Sequence, residues 1–112
     1  MIIIHQWILS DSDFGEINTN PERSFAQKYF RAKSGVFDVD VFFTHFKKGI
    51  VVYSHCLEEA FLRTNHPKPE SSWFSKLDPK AYTPSVGDVF ELKDKFGQRT
   101  LHVCKHVGFQ AV

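Results

Sequence analysis

The 112-residue sequence lacks long apolar runs and lacks an excess of either charge. No apolar stretch approaches the roughly 20 residues that span a bilayer, and the apolar residues 1–4 have no basic segment before them and no cleavage site after them. We therefore expect no membrane contact and no signal peptide. Fourteen Lys and Arg against thirteen Asp and Glu leave a net charge of +1, which gives little long-range attraction for nucleic acid.

Cysteines and catalytic motifs are scarce as well. The two cysteines, Cys56 and Cys104, are expected to be reduced thiols of a cytoplasmic protein, because no secretory signal accompanies them. The sequence contains no GxGxxG, GxxxxGKS/T, GxSxG or HExxH pattern, so phosphate-binding loops, nucleophile elbows and zinc-protease helices have no support. We therefore favour a non-enzymatic protein without a cofactor.

Aromatic residues, by contrast, are abundant: 12 Phe, 3 Tyr and 2 Trp make up 15% of the chain. Such a composition is typical of a chain that folds around a core, and no linker or repeat divides it, so we predict a single domain over 1–112. The β-branched and aromatic stretch 2–9 predicts a strand that ends in a turn at 10–13. A capping Asn, a Pro in the first turn and an apolar stripe predict the main helix over 20–34.

The apolar period then changes to two. Apolar residues alternate with polar ones over 37–44, which predicts a strand with one solvated side. A turn at 47–49 and the apolar run 50–53 complete an antiparallel hairpin. Apolar residues at helical spacing then predict a short helix after Cys56.

Two further strands are predicted near the end of the chain. The alternating segment 86–92 and the segment 99–107 flank a turn at 94–97. Together these elements predict an α+β domain. Its curved or barrel-like, mostly antiparallel sheet has about five strands, with one main helix and one short helix packed on it.

The longest irregular segment, 67–84, is the first candidate for a binding surface. In a small domain a long loop is often functional, since loops on a rigid scaffold carry recognition. The residues that would line such a surface are the aromatic residues of the loop and two polar residues at its root: Asn65, His66, Trp73, Phe74 and Tyr82. The alternative is that these aromatic residues only close the open end of the sheet.

A second candidate site lies on the last predicted strand. Alternate residues of a strand share a face, so His102, Cys104 and His106 would project together, and His55 could supply a fourth ligand to Zn²⁺. The alternative is that the histidines form the polar face of a half-exposed strand and that Cys104 is a small apolar filler. We favour the alternative, because two-residue spacing on one strand does not by itself fix metal geometry.

The sequence SVGDVFEL at 85–92, with a later strand ending in Gly108-Phe109, resembles the C-terminal signature of small uncharacterised proteins of bacteriophages and plasmids, including YodL-like domains. The sequence LEEAF at 57–61, with Thr64-Asn65 after it, looks like the middle of such proteins. The resemblance implies a small interaction protein of phage or mobile-element type. Its partner would be a host or phage protein.

The Val-Gly-Asp start of the strand at 86–88 is also similar to PUA-like modules and other small β-barrels, which implies nucleic-acid binding. Aromatic and basic residues mix between Phe42 and Lys48, as they do on platforms that stack single strands, although a core hairpin would look the same. A contiguous exposed concavity of aromatic and basic residues would favour nucleic acid, whereas an apolar patch would favour a protein partner. The sequence does not determine the oligomeric state.

Overall fold

The computed structural model describes all residues from 1 to 112 and contains six strands and four helices. The strands are β1 (Ile2–Gln6), β2 (Lys47–Val52), β3 (Phe74–Lys76), β4 (Val89–Lys93), β5 (Arg99–Cys104) and β6 (Phe109–Ala111). The helices are α1 (Asp11–Thr19), α2 (Ser24–Lys33), α3 (Val39–His45) and α4 (Leu57–Thr64). The strands form one antiparallel sheet in the order β3-β2-β1-β4-β5-β6, so β1 lies near its centre.

One face of the sheet forms the main core. Ile4 of β1 lies opposite Ile50 of β2 and Phe90 of β4, and all three side chains are buried. They share this face because side chains alternate between the two faces along a strand. Ala60 of α4 and Ala81 of the following segment cover the face and complete the cluster. Each large apolar side chain buried here contributes about 1.5–3 kcal/mol to folding.

The third helix, α3, covers part of the opposite face. Its Phe42 packs against Val89 of β4 and Val103 of β5. Trp7, which follows β1, packs against Ala32 of α2 and joins the two helices to the sheet. Because α3 has only seven residues, the face is not fully covered, and a groove opens beside the helix.

The structure confirms an α+β fold with an antiparallel sheet, but the sheet is neither five-stranded nor barrel-like. It is an open sheet of six strands whose edges, β3 and β6, do not pair with each other. Both edge strands have three residues, which is too short for an alternating pattern to be recognised. As a result, β3 lies inside the predicted loop 67–84, and the predicted strand 99–107 ends at Cys104 before the chain turns into β6.

The predicted strand over 37–44 is wrong, because this segment forms α3. Asp38 caps the helix, since its Oδ1 accepts hydrogen bonds from the backbone N–H groups two and three residues later, at 2.9 and 3.1 Å. A strand would place Val39, Val41 and Phe43 on one buried face. Instead Val41 is buried, while Val39 and Phe43 point to solvent, as helical spacing requires.

The two predicted helices are confirmed as α2 and α4, and a helix that the sequence does not reveal, α1, precedes them. The predicted turn at 10–13 is the start of α1, where the Ser10 hydroxyl accepts a hydrogen bond from the N–H of Asp13 at 3.1 Å. Asn20, expected to begin the main helix, ends α1 instead. Short polar residues favour both turns and helix caps, so the pattern fits either. The longest helix has ten residues, and none combines the length and apolar character that a membrane span requires.

A buried carboxylate holds the segment before β4 against the rest of the fold. Asp88 is 1% exposed, and its Oδ2 accepts hydrogen bonds from Gln6 Nε2 (3.1 Å) and from the N–H of Ser85 (3.0 Å). Its Oδ1 accepts the Tyr82 hydroxyl at 3.0 Å and lies 3.9 Å from Lys33 Nζ. Burial raises the pKa of Asp88, and the charge of Lys33 and the hydrogen bonds oppose that rise. The Asp88 cluster therefore joins β1, α2 and the chain that enters β4.

Gly87 allows two backbones to approach closely just before β4. Its φ is +92°, and a Cβ at this position would lie 2.0 Å from the carbonyl oxygen of Ala32 at the end of α2. Only glycine adopts such a φ readily, and no side-chain carbon fits at such a separation from a carbonyl oxygen. The glycine of the Val-Gly-Asp sequence is thus fixed by packing as well as by the turn.

Candidate functional site

The structure separates the five predicted binding residues into two groups. His66 and Trp73 lie together, with ring centroids 5.4 Å apart, and the Arg63 guanidinium lies 5.7 Å from the Trp73 ring. Asn65 is exposed near them, and its Nδ2 donates to the carbonyl oxygen of Phe61 at 2.9 Å. These side chains leave an aromatic residue and two polar residues near one surface.

The other two predicted residues point inward. Phe74 of β3 packs against the main core. Tyr82 also packs there, and its hydroxyl belongs to the Asp88 cluster. Burial and the nearby carboxylate raise the pKa of Tyr82 far above its ordinary value, so it stays a neutral hydrogen-bond donor. Their contacts are those of core residues that close one end of the sheet.

The four predicted metal ligands are not gathered into one site. His102 Nε2 pairs with the Thr100 hydroxyl at 2.9 Å, and His55 Nδ1 lies 3.2 Å from the N-terminal nitrogen of Met1. Cys104 is buried, and burial together with the charge of Asp88 raises the pKa of its thiol to about 11. His106 lies beyond the end of β5. No three His, Cys, Asp or Glu side chains in the molecule are placed to hold a metal ion.

A groove that the sequence does not reveal lies on the sheet face beside α3. It encloses about 500 Å³. We call it the sheet-face groove, and its lining residues are His5, Phe42, Phe43, Phe46, Lys48, Glu91, Arg99 and Leu101. The set combines three phenyl rings, two cations, a carboxylate and an imidazole. Phe43, at the rim of this groove, is 77% exposed.

A row of four neighbouring strands positions the polar side chains of the groove. His5 of β1 and Glu91 of β4 share a face, and His5 Nε2 lies 3.0 Å from Glu91 Oε1. On one side of this pair, Arg99 of β5 places Nη1 3.4 Å from Glu91 Oε2. On the other side, a β-bulge in the pairing of β1 with β2 leaves Gly49 without a partner and sets Lys48 opposite His5. The imidazole–carboxylate pair is thereby flanked by two positive charges.

The imidazole of His5 is neutral near pH 7 and has one nitrogen without a hydrogen-bond partner. Burial lowers the pKa of His5 below its ordinary value of 6.5, although the bond and charge of Glu91 oppose this effect. Since a carboxylate only accepts hydrogen bonds, the neutral ring donates its Nε2 hydrogen to Glu91 and keeps a lone pair on Nδ1. Nδ1 has no hydrogen-bond partner in the protein, and since no nitrogen fully sealed from solvent is unpaired, Nδ1 keeps some contact with solvent.

The aromatic side of the groove comes from α3 and the residue after it. The Phe42 ring meets His5 edge-on, with centroids 5.0 Å apart, and holds the imidazole in place. Phe43 touches Phe42 at 5.3 Å, yet it is 77% exposed. Phe46 also packs against Phe42, with ring centroids 5.7 Å apart. The Phe43 ring at the rim of the groove is therefore exposed to solvent, whereas Phe42 and Phe46 form the aromatic wall.

The lowered pKa of His5 predicts a loss of stability in mild acid. Above pH 6.5 the ring is neutral in both the folded and unfolded chains, and below it the unfolded chain takes up the proton first. We expect the free energy of unfolding of the wild type to fall as the pH drops below 6.5, and to fall less in His5→Gln. Urea denaturation at a series of pH values measures both slopes.

Asp88 also contributes to the pH dependence of the free energy of unfolding, with the opposite sign. The difference between the slopes of the wild type and His5→Gln removes this contribution. The raised pKa of Asp88 means that the folded chain takes up that proton first, so this group adds stability as the pH falls. Both proteins share this term. Parallel pH profiles for the wild type and His5→Gln would show that His5 does not titrate differently on folding.

Sequence reasoning missed His5 and Glu91, which lie 86 residues apart. The signal that was available is a histidine directly after three isoleucines in a strand, because a buried polar residue needs a buried partner. The aromatic and basic character of the segment from Phe42 to Lys48 is visible in the sequence, but the predicted strand places these side chains wrongly, because part of the segment is helical. Comparison with known proteins finds no family model, no curated protein and no solved structure that matches this chain.

Proposed function

We propose that the protein is a small binding protein of phage or mobile-element type, and that its sheet-face groove binds single-stranded nucleic acid. The observation that carries this proposal is the exposed Phe43 ring beside the cations Lys48 and Arg99. A phenyl ring in water adds nothing to the core, whereas the face of a nucleobase can stack on it. The cations flank the same groove, where the phosphates of the bound strand would lie.

The polar floor of the groove suits the edge of a base. Nδ1 of His5 accepts a hydrogen bond, and nucleobases carry amino and imino N–H donors on their exposed edges when they are unpaired. A duplex hides these edges and the faces of its bases. The combination of a stacking ring, an acceptor and two cations therefore favours a single strand.

The small net charge of the protein limits the electrostatic part of this binding. With a net charge of +1, attraction is local to Lys48 and Arg99 and not spread over the surface. Two phosphate contacts on a single strand correspond to a slope of about −1.4 for log K against log salt. The protein would therefore bind the same class of ligand as a PUA-like module, although its sheet is open and does not form a barrel.

Replacing Phe43 with alanine is expected to weaken binding of a single strand by about tenfold or more, because stacking on an aromatic ring contributes about 1–3 kcal/mol per base. Fluorescence anisotropy with labelled 12-nucleotide RNA and DNA, at low salt, measures this loss. Phe14→Ala serves as the matched control, since Phe14 is an exposed ring on α1 away from the groove. The control is expected to bind as the wild type does.

Three outcomes would contradict the proposal. The wild type could show no saturable binding to single strands, it could bind a duplex equally well, or Phe43→Ala could bind as tightly as Phe14→Ala. The first of these outcomes would favour a protein partner as the ligand.

A protein partner is the second candidate function, and a different observation favours it. A cavity of about 320 Å³ lies between α4 and the β5–β6 hairpin, on the other side of the sheet. Phe61, Phe109 and Leu62 line it, and Leu62 is 68% exposed. Exposed apolar surface of this kind is typical of protein contacts. Capture of a host or phage protein that survives nuclease treatment and is lost in Leu62→Asp, but not in Phe43→Ala, would favour this function.

A further inference from the structure

We infer that the sheet-face groove also cleaves single-stranded RNA, by transferring the phosphoryl group of the chain to the neighbouring 2′-hydroxyl. This inference rests on the proposed function, because the RNA must first bind in the groove. It departs from the non-enzymatic function that the sequence favours. Four observations carry it: the imidazole–carboxylate pair, the unpartnered nitrogen of that imidazole, the two flanking cations and the absence of a side-chain hydroxyl or thiol.

The pair formed by His5 and Glu91 has the arrangement of a general base. Glu91 accepts the Nε2 hydrogen at 3.0 Å, which fixes the tautomer and leaves the lone pair of Nδ1 free to accept a proton. When Nδ1 takes up a proton, the carboxylate lies next to the positive ring and stabilises it. The edge of Phe42 keeps the ring from rotating away.

The two cations lie on either side of this base. Lys48 is opposite His5 on β2, and Arg99 is two strands away on β5. One nitrogen of Arg99 is used by Glu91, and the other N–H groups of the guanidinium remain free on a half-exposed side chain. A phosphate bound in the groove beside either cation would have positive charge near the oxygens where negative charge develops during transfer.

The groove contains a base but no side-chain hydroxyl or thiol. A substrate that brings its own nucleophile next to the bond that breaks needs only a base from the groove. RNA is such a substrate, since each 2′-hydroxyl is adjacent to a phosphodiester, and DNA is not. The chemistry of the site thus selects RNA from the single strands that the groove can bind.

The proposed step balances without a co-reactant. The 2′-hydroxyl proton passes to Nδ1 of His5, the bond between the 2′-oxygen and phosphorus forms, and the bond between phosphorus and the 5′-oxygen breaks. The ammonium group of Lys48 gives a proton to the departing 5′-oxygen. The products are a 2′,3′-cyclic phosphate and a 5′-hydroxyl end. Proton exchange with water then restores the neutral His5 and the charged Lys48.

The test uses the full-length protein and a labelled 12-nucleotide single-stranded RNA of mixed sequence, with the matching DNA alongside. We expect the RNA to be cut to fragments that end in a 2′,3′-cyclic phosphate, identified by mass spectrometry, and the DNA to stay intact. His5→Gln and Lys48→Met are each expected to lower the cleavage rate by about 100-fold or more, since acid–base groups contribute about 10²–10⁴. Phe14→Ala, purified in the same way, is expected to cleave as the wild type does.

Binding and cleavage are measured separately, so the two proposals fail separately. RNA that binds with saturation and stays intact would overturn the cleavage proposal and leave the binding function standing. RNA that does not bind would overturn both. Cleavage that is equal in the wild type and His5→Gln, or that extends to DNA, would also overturn the proposal. Lys48 is exposed, so Lys48→Met gives a folded variant for the test even if His5→Gln is unstable.

Discussion

Replacing Gly87 with alanine is expected to lower the free energy of unfolding by about 2–6 kcal/mol. Two costs add: the φ of +92° becomes strained for a residue with a Cβ, at about 1–3 kcal/mol, and the forced repacking costs about 1–3 kcal/mol more. The clash is with the carbonyl oxygen of Ala32, 2.0 Å from the new carbon, so the end of α2 and the start of β4 must separate. Urea denaturation followed by circular dichroism measures the loss.

Gly108→Ala is the matched control for Gly87→Ala. Gly108 also has a positive φ, +71°, but a Cβ there would meet nothing within 4 Å. Only the conformational cost applies, so we expect a loss of about 1–3 kcal/mol. The difference between the two variants isolates the contact with α2. Equal losses would mean that the close approach of Gly87 to Ala32 does not contribute to stability.

Replacing Asp88 with alanine is expected to cost about 3–5 kcal/mol, because it removes the acceptor from a buried cluster. Gln6, Tyr82 and the N–H of Ser85 each donate to this carboxylate at 3.0–3.1 Å. Without it, donors are left unpaired where water does not reach them, at about 1–3 kcal/mol for each fully buried group. The same denaturation experiment measures this loss.

Asp94→Ala provides the control for the loss of a carboxylate. Asp94 also accepts backbone N–H groups, those of Phe96 and Gln98, but in an exposed turn where water can replace it. We expect a loss of about 1 kcal/mol. Adding Lys33→Met to Asp88→Ala is expected to cost less than the sum of the single changes, since each removes the other's partner. Equal losses in Asp88→Ala and Asp94→Ala, with additive behaviour of Lys33→Met, would contradict the role of the cluster.

The parts of the fold that could be predicted from the sequence are those with strong local signals. The helix α2 has an apolar stripe along ten residues, and β4 has alternating apolar residues after a glycine turn. The segment of α3 shows why other parts could not be predicted. Over seven residues, a two-residue period and a helical stripe share most of their apolar positions, and the cap at Asp38 decides between them only in three dimensions.

The candidate site was predictable only in part, for a related reason. The aromatic and basic character of the segment from Phe42 to Lys48 is visible in the sequence. The pairing of His5 with Glu91 is not, because it depends on β1 lying beside β4, and nothing local in either strand specifies that neighbour. Similarly, the loop aromatic residues and His66 are predicted to line one surface, and Trp73 does lie beside His66, but the inward direction of Phe74 follows from the pairing of β3 with β2.

The β-bulge at Gly49 lets β2 place apolar side chains in the core and a lysine side chain at the surface. In a strictly regular strand, residues 48, 50 and 52 would all point to the same side, so a lysine would be forced among the isoleucine and valine side chains of the interior. The extra residue shifts the alternation by one and turns Lys48 outward while Ile50 and Val52 stay inside. Any Cβ at position 49 would come within 2.5 Å of the Gln6 amide oxygen, so only glycine fits at this shift without moving Gln6. One extra residue in β2 therefore places Lys48 at the charged rim of the groove, only two positions before the buried Ile50.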